Sequence, residues 1–200
     1  MTPHLATSTW IRRPSWRRIA LISAVLVLLP AVAIGAWVGI IQLDGNLRTV
    51  EDGVFYRSAQ LDAAGFERVI RERGIKSILN LRGRNQGSPW YEAEIEVSQT
   101  LGVVHYDVGI SARREIALER MDDLVVLVRD APKPILVHCN AGADRSGLVS
   151  ALYEIAVRGR PPAEAEGQLS LYYGHFPYLT SKTVAMDRSF RAYAAAKLAN

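Results

Sequence analysis

The feature that most restricts the fold of this chain is a long stretch near its start that carries no charge. Residues 19–43 form 25 consecutive uncharged positions, of which only Ser23 and Gln42 are clearly polar. As an α-helix rising about 1.5 Å per residue, the stretch would be roughly 37 Å long, enough to cross a hydrocarbon core of about 30 Å. The sequence therefore predicts one N-terminal transmembrane helix, with Trp37 near its far end at the membrane interface.

The charges on either side of this stretch predict its orientation. Four arginines precede it: Arg12, Arg13, Arg17 and Arg18. Only Arg48 follows it closely. Because positively charged flanks stay on the cytoplasmic side, we expect residues 1–18 to be a basic cytoplasmic N-terminus, residues 19–43 an uncleaved signal anchor, and residues 44–200 a domain outside the cytoplasm.

Two alternative readings of the N-terminus remain open. The sequence Ala31-Val32-Ala33 after Pro30 resembles a signal-peptidase site, which would make the segment a cleaved signal. The pair Arg12-Arg13 suggests twin-arginine export, although the surrounding residues match that signal poorly. The apolar stretch is longer than a cleaved signal needs, which favours the anchor. Both alternatives also place the domain outside the cytoplasm.

Composition excludes several classes of function. The chain has 24 basic and 20 acidic residues, and the four arginines before the apolar stretch account for the whole excess. A basic surface for nucleic acid is therefore not expected. Cys139 is the only cysteine, so intramolecular disulfides and metal sites with two thiolates are excluded. We predict no metal and no cofactor.

The remainder of the chain has the pattern of one α/β domain. After a polar linker at residues 44–51, apolar strand patterns alternate with amphipathic helix patterns and short connections, which predicts a central, mostly parallel sheet flanked by helices. The predicted strands are Val54–Arg57, Ser77–Leu81, Val103–Val108 and Pro134–His138. The predicted helices are 61–73, 92–101 with Ile95 and Leu101 inward, 118–128, 148–157, one from Pro161-Pro162, and 186–198.

A loop that follows the last predicted strand carries the chemistry. The sequence from His138 to Gly147 reads His-Cys-Asn-Ala-Gly-Ala-Asp-Arg-Ser-Gly, and a helix is predicted to begin near Ser146. A strand, a loop of small residues and a helix N-terminus form a cradle for an anion, because successive backbone N–H groups point into it. Cys139 would lie at its base as a stabilised thiolate, and Arg145 could bind two phosphate oxygens.

These residues carry a family resemblance. The pattern Cys139-x5-Arg145-Ser146, with His138 before it and Gly142 inside it, resembles the active-site signature of the protein tyrosine phosphatase superfamily, and more narrowly the bacterial dual-specificity-like phosphatases. The resemblance covers residues 46 to 200. Softer matches support it: Tyr-Arg-Ser-Ala-Gln at 56–60, Ile-Leu-Asn-Leu-Arg-Gly at 78–83, Ile-Ser-Ala at 110–112 and Tyr-Gly-His at 173–175.

The resemblance implies a cysteine-dependent phosphomonoester hydrolase that works through a cysteinyl-phosphate. Cys139 would be the nucleophile, Arg145 the phosphate clamp, and Ser146 a hydrogen-bond donor that helps the sulfur leave. His138 would support the cysteine environment. The loop residues that would bind the phosphate are Asn140, Ala141, Gly142 and Ala143. Arg113 and Arg114 on a neighbouring loop would attract the substrate, or else form ordinary solvated surface.

The general acid is open at this point. In the family, an aspartate from a mobile loop about thirty residues before the cysteine usually has this role, and Asp107 lies 32 residues before Cys139. However, Asp107 falls within the predicted strand, and the loop position itself reads Ser111-Ala112-Arg113-Arg114. Asp144, directly before the loop arginine as in some phosphoinositide phosphatases of the superfamily, and Glu115 are the other candidates.

The substrate also has alternatives. A phosphorylated protein, and phosphotyrosine first, is what the resemblance implies. Tethering to a membrane, for a bacterial chain the inner membrane with the domain in the periplasm, makes a phosphorylated lipid or small molecule a second reading. A phosphate-binding module without turnover and a rhodanese-type persulfide loop are the non-phosphatase alternatives, which the complete loop pattern disfavours.

Overall fold

The computed structural model of the chain describes residues 15–198. Its first element is a helix, α1, Trp16–Leu43, which is long and apolar enough to cross a membrane. A signal sequence would pass the same test, so the membrane span and its orientation stay predictions. Arg12 and Arg13, which the orientation uses, lie outside the described residues. Chain contacts divide the molecule after Gly39, and everything from Ile40 onward forms the second of two units.

The second unit is built on a five-stranded sheet. Its strands are β1 Arg48–Glu51, β2 Phe55–Ser58, β3 Ser77–Asn80, β4 Val104–Asp107 and β5 Ile135–His138. Their spatial order is β1-β2-β5-β3-β4, and only the β1–β2 pair is antiparallel. The predicted mostly parallel sheet is confirmed. The register aligns Ser58, His138, Asn80 and Asp107 along the carboxyl edge of the sheet.

Helices cover both faces of the sheet. Their bounds are α2 Ala63–Arg73, α3 Pro89–Thr100, α4 Leu118–Asp130, α5 Asp144–Ala156, α6 Pro162–Ala165 and α7 Val184–Leu198, with 3-10 turns at Glu166–Gln168 and Leu171–Tyr173. On one face, Phe66 and Val69 of α2 pack on Ile78 and Leu136 of the sheet, and α3 adds Val97 at the margin. The alternation of side chains along each strand sends the neighbouring residues to the other face.

That other face packs on α4 and α5. Leu124 and Val149 meet Leu79 and Val137 there in a second core cluster, which also contains Cys139. Helix α7 lies outside α4 and α5 and buries its apolar side against them in a third cluster. Helix α5 is therefore packed between the sheet on one side and α7 on the other, and this packing holds it in place.

Three local predictions are wrong in detail. The expected linker at 44–51 contains β1, whose burial is limited to Val50. The strand after Gly102 is an edge strand that pairs only with β3, so its residues are half-buried or exposed instead of belonging to the core. Helix α3 starts at Pro89, and its buried residues are Tyr91, Glu94 and Ser98, whereas Ile95 and Leu101 are half-buried.

Candidate active site

The loop between β5 and α5 is held in one shape by its glycine. Gly142 has φ +68°, a left-handed conformation that residues with a Cβ rarely adopt. A Cβ at this position would lie 2.6 Å from Ala59 N and 2.7 Å from Ser58 C. Because these obstacles are backbone atoms at the end of β2, only glycine fits. The loop therefore lies directly against the β2 end, with Cys139 at its start and only 2% exposed.

Two buried polar groups are available at the first turn of α5, which begins at Asp144, two residues earlier than predicted. Within the described part of the chain, Arg145 Nε and Ser146 Oγ are buried atoms with no hydrogen-bond partner. The Arg145 side chain is held from its other end, where Nη1 donates to Leu81 O at 3.1 Å and to Ile110 O at 3.5 Å. Donors at a helix N-terminus are suited to an anion.

Arg57 is a site residue that the sequence analysis did not single out. Its side chain is fully buried. Its Nη2 donates to Gly142 O at 2.8 Å and to Ala143 O at 2.9 Å, and its Nη1 donates to the main-chain and side-chain oxygens of Gln168. Burial lowers the pKa of Arg57 to about 10, against the opposing charges of Tyr173, Cys139 and Asp144. The guanidinium is therefore a cation beneath the loop at neutral pH.

His138 is fixed by a carboxylate that was also not foreseen. Glu94 of α3 is fully buried, and its Oε1 accepts from His138 Nε2 and from His105 Nε2, both at 2.8 Å. Its Oε2 accepts from Gln60 Nε2 at 2.8 Å. Burial alone would raise the pKa of Glu94, but the hydrogen bonds from His105, His138 and Gln60 lower it to about 2. The strand end next to Cys139 is thereby tied to α3.

Asp144 belongs to a row of three ionisable groups. His175 is fully buried, with Nδ1 2.6 Å from Asp144 Oδ1 and Nε2 2.9 Å from Asp187 Oδ2. Burial by itself would lower the pKa of His175, but the two carboxylates outweigh it and raise the pKa. The imidazole therefore connects α7 to the first turn of α5, between two carboxylates that favour its protonated form.

Asp107 is engaged elsewhere. It lies at the end of β4, two strand spacings or about 10 Å from the β5 end. Asn80 Nδ2 donates to Asp107 Oδ1 at 2.9 Å and Tyr91 OH donates to Oδ2 at 2.5 Å. Burial and this bond raise the pKa of Tyr91 to about 12, so Tyr91 keeps its proton. Asp107 thus faces α3, where it lines a cavity of about 690 Å³ with His105.

The loop 109–117 carries the remaining candidates on its surface. Arg113, Arg114 and Glu115 are exposed. Glu115 pairs with Arg188 Nη1 of α7 at 3.4 Å. The structure therefore gathers Cys139, the loop residues 140–143, Asp144, Arg145 and Ser146 in one place. Asp107 lies two strands away, and Arg113, Arg114 and Glu115 are exposed on a loop whose Ile110 O accepts from Arg145.

The missed residues had weak signals in the sequence. Arg57 lies in the Tyr-Arg-Ser-Ala-Gln stretch, but a buried arginine 82 positions before Cys139 cannot be distinguished from a surface one by local pattern. Glu94 shares the inward helical spacing of Tyr91 and Ser98, which was available and would have indicated a buried carboxylate. Among residues 15–198, no group of three His, Cys, Asp or Glu side chains could hold a metal ion.

Comparison with known proteins agrees with this architecture. The structure of TpbA from P. aeruginosa shares 20% identity, covers 78% of this chain and 91% of its own, and superposes with a TM-score of 0.57. The catalytic core of the PP-IP phosphatase SIW14 from S. cerevisiae gives 19% identity, coverages of 76% and 93%, and a TM-score of 0.57. The structure of Tk-PTP in its active form shares 16% sequence identity, with 75% of this chain and 97% of Tk-PTP covered and a TM-score of 0.58.

These structural similarities show the fold of the chain, and a match to a sequence family shows which family it belongs to. The family described as "DSP-PTPase phosphatase fused to NAD+ Kinase" matches residues 30–187, which is most of the chain. The resemblance inferred from the loop is thereby confirmed. The chain belongs to this DSP-PTPase family and is a phosphatase of the tyrosine or dual-specificity type.

Proposed function

We propose that the protein hydrolyses phosphomonoesters through a covalent cysteinyl-phosphate on Cys139. The observation that carries this proposal is the cradle itself. Cys139 lies at the start of a loop that Gly142 fits against β2, and at the loop's end Arg145 Nε and Ser146 Oγ are buried donors that have no hydrogen-bond partner among residues 15–198. In such a cradle, N–H and O–H donors face the negatively charged oxygens of a phosphate dianion and stabilise it.

In the first step, the Cys139 thiolate attacks phosphorus, the P–S bond forms and the P–O bond to the leaving group breaks. Arg145 and the loop N–H groups stabilise the charge on the equatorial oxygens. The buried cation of Arg57, which hydrogen-bonds Gly142 O and Ala143 O, keeps the loop in place. The leaving oxygen takes up a proton from a general acid.

We assign the general acid to Asp144. Asp144 lies in the first turn of α5 directly before Arg145, and His175, which hydrogen-bonds its Oδ1, would stabilise the carboxylate that remains after the proton has been donated. Asp187 holds His175 from the opposite side at 2.9 Å. Asp107 is the weaker candidate because both of its oxygens are engaged, Oδ1 by Asn80 at the end of β3 and Oδ2 by Tyr91 of α3. Glu115 is also weaker, because it is exposed and paired with Arg188.

In the second step, water attacks phosphorus, the P–S bond breaks and inorganic phosphate leaves. The Asp144 carboxylate takes the proton of the attacking water. The Ser146 hydroxyl, buried beside the loop, donates to the departing sulfur and stabilises it as a thiolate. The side-chain oxygen of Gln168 does not hold the attacking water in this arrangement, because it accepts from Arg57 at 2.9 Å.

For the substrate we propose a phosphorylated protein, with phosphotyrosine as the first choice. A TpbA variant of the same fold has been solved in complex with phosphotyrosine. A phosphorylated lipid is the second candidate, which the apolar helix α1 favours because a single-pass anchor would keep the domain near a bilayer. We further propose that residues 44–200 work outside the cytoplasm, as the arginines before the apolar stretch indicate.

The test is hydrolysis by the full chain in detergent, with chelator present. Wild type should turn over an aryl phosphate and Cys139→Ser should not, while still binding phosphate. Substrates with good and poor leaving groups then separate the acids: Asp144→Asn should lose far more activity on phosphotyrosine than on p-nitrophenyl phosphate, because a good leaving group needs little protonation. Asp107→Asn is the matched control and should show no such dependence.

Three outcomes would contradict the proposal. Equal phosphate affinity in wild type and Cys139→Ser, without turnover on any substrate, would indicate a binding module. Leaving-group dependence in Asp107→Asn instead of Asp144→Asn would transfer the acid role to Asp107. Faster turnover of phosphatidyl phosphomonoesters in vesicles than of phosphopeptides would favour the lipid candidate.

A further inference from the structure

The C-terminal end of α1 and the turn that follows it are packed into the domain. Residues 41–46, which we call the junction, include Ile41 and Asn46, both fully buried. Asn46 N donates to Ile41 O at 2.7 Å and to Asp44 Oδ1 at 2.9 Å. Asn46 has φ +46°, a conformation that asparagine tolerates better than most residues. The junction is therefore a defined turn and not a flexible tether.

The junction contacts the phosphate-binding loop at one atom. Ala141 O accepts from Asn46 Nδ2 at 2.9 Å and from Gln42 Nε2 at 3.1 Å. The same Asn46 amide also donates to Tyr173 O at 2.9 Å. Two side chains from the junction thus converge on a single loop carbonyl, which lies 95 residues or more away in sequence.

Holding this carbonyl also orients a donor. The peptide that joins Ala141 to Gly142 is planar and its C=O and N–H point in opposite directions. Because Ala141 O points at the junction, the N–H of Gly142 points away from it. Ala59 N, the backbone atom that leaves no room for a Cβ at position 142, is also held by the junction, because its N–H donates to Gly45 O at 2.8 Å. The junction therefore sets both the direction of the Ala141–Gly142 peptide and the position of the Ala59 backbone that packs against it.

We propose that Asn46 and Gln42 are positioning residues for catalysis, which hold the Ala141–Gly142 peptide so that the Gly142 N–H faces the bound phosphate. This rests on the proposed function, since it assigns the loop to phosphate. The last turn of the candidate membrane helix is then part of the active-site structure. Loss of either side-chain donor lets the peptide rotate and removes one donor from the phosphate.

The experiment uses the full chain in detergent and inorganic phosphate as the probe. Asn46→Asp keeps the size and the tolerance for positive φ, but it replaces the donor by an acceptor facing Ala141 O. We expect its dissociation constant for phosphate to rise at least tenfold, kcat/KM to fall in parallel, and the Gly142 amide nitrogen to lose its chemical-shift change on phosphate addition. Gln42→Met, at an exposed bond, should raise the dissociation constant about threefold.

The matched control is Ser77→Ala. Ser77 Oγ donates to Pro132 O at 2.7 Å, also from a buried side chain to a main-chain carbonyl, but at the opposite edge of the sheet. This variant should lose stability and keep its phosphate affinity. If Asn46→Asp behaves like Ser77→Ala, with lower stability and unchanged phosphate binding, the positioning role is wrong. Should Asn46→Asp fail to fold, unchanged binding in Gln42→Met overturns the proposal equally.

The two proposals fail differently. A wild type that binds phosphate without turnover, and loses that binding in Asn46→Asp, would overturn the hydrolase and support the junction. A wild type that turns over aryl phosphate, with kcat/KM and phosphate affinity unchanged in both junction variants, would overturn the junction and leave the hydrolase.

Discussion

The buried carboxylate of Glu94 allows a quantitative prediction. It accepts three hydrogen bonds, from His138, His105 and Gln60, each at 2.8 Å. Glu94→Gln keeps the shape of the side chain, but its amide nitrogen would face the Gln60 amide donor and its one oxygen would serve both histidines without a charge. We therefore expect a fold that is retained but less stable.

The pKa of Glu94 sets the size of the effect. Its hydrogen bonds hold the pKa at about 2, against an ordinary value of 4.5. At about 1.4 kcal/mol for each pH unit between these values, the ionised form contributes about 3 kcal/mol to the free energy of unfolding. Because the pKa is lower in the folded state, this contribution is complete above pH 4.5 and disappears as pH falls towards 2.

Urea unfolding followed by near-ultraviolet circular dichroism would measure this difference. Wild type and Glu94→Gln, as full chains in detergent, should differ by about 3 kcal/mol at neutral pH, and the gap should shrink steadily below pH 4.5. Glu96→Gln, on the same helix but exposed, is the control and should match wild type. A gap that stays constant with pH would refute the reasoning, because the loss would then come from packing and not from the charge.

Three further predictions concern the residues around the loop. Gly142→Ala should lower kcat/KM by about 100-fold, the typical cost of one oxyanion donor, with an unchanged far-ultraviolet circular dichroism spectrum, because the clash with Ala59 N displaces the loop. Arg57→Met should lower the unfolding free energy by about 3 kcal/mol in urea titrations, since it leaves the carbonyls of the loop without donors. For His175 the pKa is raised, so its stabilisation is complete below pH 6.5 and is lost as pH rises. The stability deficit of His175→Gln should accordingly shrink as the pH rises above 6.5.

The parts of the site that follow one another in sequence could be predicted. The loop from Cys139 to Ser146 is contiguous, and its strand and helix flanks have clear apolar patterns, so its position after the central strand followed from local information. Arg57, Glu94 and Asn46 could not be found in this way. Their side-chain partners lie between 11 and 127 residues away, and only the assembled fold brings them beside the loop.

The errors in the fold have a similar origin. The pattern Arg-Thr-Val-Glu of β1 has one buried residue, so nothing in it distinguishes a strand from a linker until β2 is placed beside it. The pattern at 103–108 suggested a core strand, but β4 has only one neighbouring strand, so Val104 is exposed although Val103 just before it is buried. In α3, the apolar character of Ile95 led to the prediction that Ile95 faces the core. The buried residue is instead Glu94, whose carboxylate is hydrogen-bonded there.

The way the loop is mounted has a consequence for the evolution of substrate range. Its two ends continue into β5 and α5, which are almost entirely buried, whereas the segments 109–115 and 171–183 are mostly exposed or half-buried. Substitutions in exposed loops usually change stability little. Relatives of this chain can therefore be expected to differ in what they recognise through those two segments, while the cysteine, the arginine and the residues that brace them stay the same.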